Sequence, residues 1–247
     1  MKRTRTSQLL ASVLVNSLFV MKNYPVSLID TAISPLSFLL LISFVSQGTL
    51  VGEGILGALI MSMFGAGMSL QSDLSHLKND FKLQDMLVSS PTPAVVYVLG
   101  MSLSEITYNI PALATIAVLV AIYIHPGMWQ ALTILAALLL MFLTSVVIGF
   151  TLSTISNDVV QSFAFQRLIS TLFSTIPPVY YPITYIPEPY RNLAYLSPTT
   201  YAAELVQAAS GYVSLSNQTI IIDWLILAGI TTGLLIIAAR KARWREK

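Results

Sequence analysis

The sequence predicts an all-α integral membrane protein. It has six transmembrane helices, an N-terminal interfacial amphipathic helix, and a re-entrant helix pair before the last span. Three observations predict this. First, 55% of the 247 residues are hydrophobic and 10% are charged, whereas a soluble domain carries about 25% charged residues. Second, long apolar segments alternate with short polar ones. Third, the 13 lysines and arginines gather at a few points. Lys2, Arg3, Arg5 and Lys22 mark the start. Lys78 and Lys82 lie in one polar stretch, and Arg167 stands near another. Arg240, Lys241, Arg243, Arg245 and Lys247 mark the end. Threaded through six crossings, every basic residue except Arg191 falls on one side. The positive-inside rule makes that side the cytoplasm, with both termini in it.

The remaining composition excludes several classes. The net charge of +2 calls for no nucleic-acid partner, because the basic residues flank spans and meet lipid headgroups. The absence of cysteine leaves no disulfide, zinc–thiolate or iron–sulfur site. The basic and then apolar start has a signal-peptide flavour. Asn16 and Lys22-Asn23 break the apolar run, so the reading is of a retained segment.

The elements follow in order, as one transmembrane domain over 1–247. In 1–22, Leu10, Leu14, Leu18 and Met21 recur at helical spacing among Ser7, Ser12, Asn16 and Ser17, which predicts an interfacial helix. The first span is 26–46, with Asp30 and Pro35 inside it. The second is 54–72, where Gly54, Gly57, Gly65, Ala66 and Gly67 permit close helix approach. Residues 73–92 form an amphipathic cytoplasmic helix closed by Pro91 and Pro93. The third span starts at Ala94 and reaches Ile124, longer than the ~20 residues of a straight crossing, with a bend expected at Glu105, Asn109 and Pro111. His125-Pro126-Gly127 turns the chain into the fourth span, 129–153. The fifth runs from 160 to 176. Residues 177–217 hold six of the 12 prolines and seven of the 11 tyrosines. Such proline density forbids one continuous span, and tyrosine favours the headgroup boundary. Two short helices dipping into the outer leaflet are expected here, broken near Pro187-Glu188-Pro189 and at Pro198. The sixth span is 219–239.

This order resembles the type-2 membrane subunits of ABC transporters, the exporter permeases of the daunorubicin-resistance kind. Leu83-Gln84-Asp85-Met86-Leu87-Val88-Ser89-Ser90-Pro91 is similar to the family's Leu-Leu-x-x-Pro end of the cytoplasmic helix. Pro182, Pro187, Leu196, Pro198 and Glu204 resemble its Pro-rich run with a following acid. Two positions depart from the pattern. Pro177-Pro178 stands where many relatives carry Ser-Gly, and Gln207 where many drug exporters carry a base.

The resemblance implies a permease of an ATP-driven exporter. A second copy or homologue would complete the path, and a separate ATPase chain would bind ATP and magnesium. No cofactor is expected in this chain, and no Gly-x-x-x-x-Gly-Lys-Ser/Thr motif occurs in it. Helix 73–92 would dock on the ATPase. Such an interface needs an apolar stripe with a charged rim, which Leu74, Leu77, Phe81 and Leu87 supply with Lys78, Asp80 and Asp85. Spans two and five would line the path, offering Gly65, Met68, Phe165, Ile169 and Phe173. Glu204 would either line the outer gate or pair with Arg191. Within span three, Glu105 and Asn109 are intramembrane polar residues. Glu105 is either a proton site or a patch bonded to Asn109 or Thr107. The alternative is a proton-coupled secondary transporter using Glu105 and Asp30. An intramembrane hydrolase has no Gly-x-Ser-x-Gly elbow to work with.

Overall fold

A computed structural model describes residues 5–79, 94–156 and 158–241, and among these the regular elements are all helical. The chain starts with α1 (Arg5–Val13), a π-helical stretch (Leu14–Leu18) and α2 (Phe19–Asn23). Six long helices follow: α3 (Pro25–Val45), α4 (Val51–Asn79), α5 (Ala94–Tyr123), α6 (Met128–Ile155), α7 (Val159–Thr175) and, at the end, α10 (Asn217–Lys241). Between α7 and α10 lie a one-turn 3-10 helix (Ile183–Tyr185), α8 (Arg191–Ala194) and α9 (Pro198–Ala209).

Among the described residues, four segments meet the length and hydropathy of a bilayer crossing without a break: Val51–His76, Val96–Tyr123, Met128–Ile155 and Asn217–Ala238. Helix α3 has 21 residues, the length of a straight crossing of ~20. Helix α7 has 17 residues, fewer than the ~20 of a straight crossing.

Helix α4 is the axis of the bundle, packing on α3, α5, α6, α7 and α9. Lipid tails are as apolar as leucine, so helices in a membrane associate through close packing, not through hydrophobic expulsion. Two glycines show this. A Cβ at Gly67 would sit 1.9 Å from Ser145 Oγ and 2.8 Å from the Val146 backbone nitrogen on α6. A Cβ at Gly57 would sit 2.6 Å from the Val179 carbonyl oxygen. At both positions α4 therefore presses backbone against neighbouring chain. Around these contacts Ile55, Leu56, Ile60, Phe64, Met68 and Leu70 fill the core.

Three expectations change. Span two does not stop at residue 72. Helix α4 runs on through Asp73, Leu74, Leu77 and Lys78 to Asn79, because no glycine or proline stands between Gly67 and Pro91 to interrupt it. Second, 177–197 does not form the first of two re-entrant helices. Pro177, Pro178, Pro182, Pro187 and Pro189 remove amide donors, and only the 3-10 turn and the four-residue α8 form. Ser197 and Pro198 then start the 12-residue α9, with the serine as N-cap and proline at the first helical position. Third, the N-terminal helix turns its polar side inward. Ser12 Oγ lies 3.5 Å from Ser104 Oγ, and Asn16 Nδ2 donates to Met101 Sδ at 3.2 Å. Leu10, Leu14, Val15 and Phe19 point outward. A lipid-facing helix gains by burying its hydroxyls and amides against protein and leaving its leucines outside.

Candidate functional site

The end of α4 near Asn79 is tied to α7 by a polar ladder. Gln71 Nε2 donates to the Ser162 carbonyl at 2.6 Å and meets Ser162 Oγ at 3.1 Å. Ser75 Oγ shares a hydrogen bond with the same Ser162 hydroxyl. Ser72 Oγ donates to Gln166 Oε1, and the His76 ring meets Phe163 edge-on at 5.4 Å. Positions 71, 72 and 75 share one helix face, as do 162 and 166. The start of α7 is fixed by Asp158, whose side chain caps the helix through the Gln161 amide at 2.7 Å. The sequence pattern holds no strong signal for this ladder, since serine and glutamine on a span look like tolerated polar residues. Their spacing on α4 and α7 was the available clue.

The expected docking residues fall partly within view. Leu74, half-buried, packs against the core, and Leu77 and Lys78 occupy the last turns of α4. Asp80, Phe81, Asp85 and Leu87 lie outside the described residues.

The expected path residues divide. Gly65 is exposed, and a Cβ at this position would meet nothing within 4 Å. Met68 is 1% exposed and sits in the core, turned away from the face that holds Gly65. Along α4, Gly65 is exposed and Met61, Ser69 and Ser72 are half-buried, one position every three or four residues. Phe165 is half-buried on α7. Ile169 and Phe173 pack against the core, Phe173 through Phe64 at 5.9 Å between ring centroids. Beside them Phe163, Leu168, Leu172 and Ile176 stay exposed. Ser72 bonds Gln166, so the less buried side of α4 adjoins helix α7 there and the two form one wall.

Glu105 is buried, and the Asp73 side chain on α4 stands close enough to interact with its carboxyl group electrostatically. The expected partners are otherwise engaged. Asn109 Nδ2 donates to the Glu105 backbone carbonyl at 2.9 Å, and Thr107 Oγ1 to the Leu103 carbonyl at 2.8 Å. Helix α5 stays continuous through Pro111. Glu105 therefore joins α5 to the Asn79 end of α4.

At the opposite end, the pairing of Glu204 with Arg191 is not made. Arg191 binds Glu188 at 3.0 Å and the carbonyls of Ile186 and Thr184 at 2.8 and 3.2 Å. It thus closes its own loop, where Glu188-Pro189 is cis. Glu204 instead accepts the Tyr195 hydroxyl at 3.2 Å. The two departures noted in the sequence meet here. Gln207 Nε2 lies 3.4 Å from each of the carbonyl oxygens of Pro178, Val179 and Tyr181. The proline pair directs carbonyls inward, and the Gln207 amide supplies the donor. Replacing Gln207 with leucine is expected to cost about 1–3 kcal/mol, because buried carbonyls lose their donor. A Gln207→Lys variant restores a donor and should recover part of the loss. Melting curves of the three purified proteins check this; equal midpoints for Gln207→Leu and wild type would contradict it.

The geometry is that of a helical membrane wall with a polar joint at one end and a buried turn at the other. Comparison with curated proteins finds no match. The family model described as ABC-2 type transporter matches residues 8–210, from the N-terminal helix through the end of α9. That span covers most of the chain, and with the apolar helices above it identifies this multi-pass membrane protein as a member of the ABC-2 type transporter family, a non-catalytic permease component.

Proposed function

We propose that this chain is the permease subunit of an ATP-driven exporter in the cell membrane. It crosses six times, with α7 as the shortest crossing and both termini cytoplasmic. A second copy or a homologue completes the path, and a separate ATPase supplies the motor. Residues 73–92 receive that motor, through Leu74, Leu77, Phe81 and Leu87 with Lys78, Asp80 and Asp85 around them.

The observation that carries this reading is the ladder from Gln71, Ser72 and Ser75 to Ser162 and Gln166. Segment 80–93 follows directly on α4, so a push there reaches α7 through these bonds. The wall that moves is the one these two helices form, with Met61, Gly65 and Ser69 on α4 beside Phe165 on α7. Its small and apolar side chains suit an amphipathic or lipid-like cargo. Glu105 supports the same reading, since it is buried beside Asp73 where α5 packs on α4. A free carrier of protons would need a carboxyl facing an aqueous route.

Phe81→Asp is expected to abolish co-purification of a P-loop ATPase with the solubilised chain. A charge placed in a buried apolar contact is disfavoured by several kcal/mol, on the order of the whole contact. Mass spectrometry of the pull-down gives the result. An ATPase still present at full stoichiometry would sink the docking assignment.

A further inference from the structure

Two buried acids without a counter-charge meet where α9 packs on α10. Glu204 is 3% exposed and Asp223 2%, and the two carboxyl groups are close enough to interact electrostatically. Glu204 Oε1 accepts the Tyr195 hydroxyl at 3.2 Å. Glu204 Oε2 and Asp223 Oδ2 have no hydrogen-bond partner. Tyr195 and Tyr201 both stand within electrostatic reach of the pair, with their rings 5.8 Å apart. The Tyr201 hydroxyl is turned to the Tyr195 carbonyl at 2.7 Å.

No base among the described residues balances them. Arg191 is spent on Glu188 and two carbonyls. Of the helices packed on α9, α6 carries no ionisable residue. Helix α4 brings Glu53 to this end, beside Tyr212. Arg167 is exposed at the middle of α7, six residues before Phe173, whose carbonyl accepts the Thr199 hydroxyl of α9. Two carboxylates in such surroundings cannot both stay bare, because an unpaired buried charge is strongly disfavoured.

We propose that Glu204 and Asp223 bind one small monovalent cation, a proton or an alkali-metal ion, which bridges α9 to α10. The two unpartnered carboxylate oxygens and the Tyr195 hydroxyl supply hard oxygen ligands. A divalent ion is a poorer fit. Sites for such ions gather more charged ligands than this pair supplies, and no group of three His, Cys, Asp or Glu suited to a metal occurs among the described residues. Larger cations do not enter, since Pro198 to Gln207 are buried throughout. The site stands on these residues alone and is independent of the ATPase reading.

The test uses the full chain in nanodiscs of neutral lipid, melted by tryptophan fluorescence; Trp224 adjoins Asp223 in sequence. Four buffers of equal ionic strength are compared. Three are at pH 8, with sodium, potassium or N-methyl-D-glucamine chloride, and the fourth is N-methyl-D-glucamine chloride at pH 5.5. The bare-pair condition, N-methyl-D-glucamine at pH 8, should melt lowest, with a rise of about 3 °C once the site is filled. A rise with sodium or potassium identifies an alkali ion. A rise only at pH 5.5 identifies a proton. The response should vanish in the Glu204→Gln/Asp223→Asn double variant and persist in Glu188→Gln, which alters the exposed acid. If the double variant does not fold, Asp223→Asn alone should reduce the response. Equal midpoints for the wild type in all four buffers, or a response that survives in the paired variant, would overturn the site.

Discussion

Gly67→Val is expected to lower the stability of the purified chain by about 3 kcal/mol, the upper end of the overpacking range. The reason is local. A Cβ at this position meets Ser145 Oγ at 1.9 Å, which a rotamer change relieves, and the Val146 backbone nitrogen at 2.8 Å, which nothing relieves without moving α6. Gly149 faces the same crossing, its own Cβ position 3.1 Å from the Gly67 carbonyl oxygen, so the strain has no slack on the other side. Gly65→Val provides the contrast. With no atom within 4 Å of its Cβ position, this substitution should leave the melting temperature nearly unchanged, while altering the wall that α4 and α7 form. A thermal scan of both variants in one detergent measures the difference. Equal loss in the two would mean that α4 and α6 do not cross at Gly67.

Gln71→Leu is expected to separate binding from work. The variant loses both bonds to Ser162, leaving a buried carbonyl and hydroxyl short of a donor at a cost of about 1–3 kcal/mol. Segment 80–93 is untouched, so the ATPase should still co-purify. Transport per ATP hydrolysed should fall by about tenfold, which corresponds to the loss of one such bond from the moving joint. Phe81→Asp gives the opposite pattern, losing the ATPase itself. Thr232→Ala, exposed on α10 and away from the wall of α4 and α7, serves as the control, because its hydroxyl bonds only its own helix at the Ala228 carbonyl. Transport assays in reconstituted vesicles check the set. Full coupling in Gln71→Leu would remove the ladder from the mechanism.

Glu105 and Asp223 show where sequence reading falls short. Both are acids on apolar helices, and a sequence marks them as costly without giving their partners. Glu105 drew attention because it sits at the middle of a long apolar run. Its partner Asp73 looked like part of a separate cytoplasmic helix, since charges begin there. Asp223 passed unremarked on the last span, yet it is the one that meets Glu204. Which acid finds which neighbour depends on helix rotation and crossing, and one chain's periodicity does not specify either.

The order of elements was legible by itself. Lipid demands that each crossing satisfy its own backbone, so apolar length, proline density and the placement of lysine and arginine are nearly sufficient for helix order and for the family to which the chain belongs. Gly57 and Gly67 were visible as close-packing positions for the same reason. Tertiary structure alone decided which way side chains turn. It placed Met68 in the core and Gly65 on the open face, three residues apart on one helix. It turned Ser12 and Asn16 toward α5 and Leu10, Leu14 and Phe19 outward. It matched Gln207 to the carbonyls after Pro177-Pro178, converting two departures from the family pattern into one contact. In water an apolar side chain faces inward by default, so pattern predicts burial. In a bilayer both faces of a helix are apolar, and packing shape, with the need of each polar group for a partner, decides the inside.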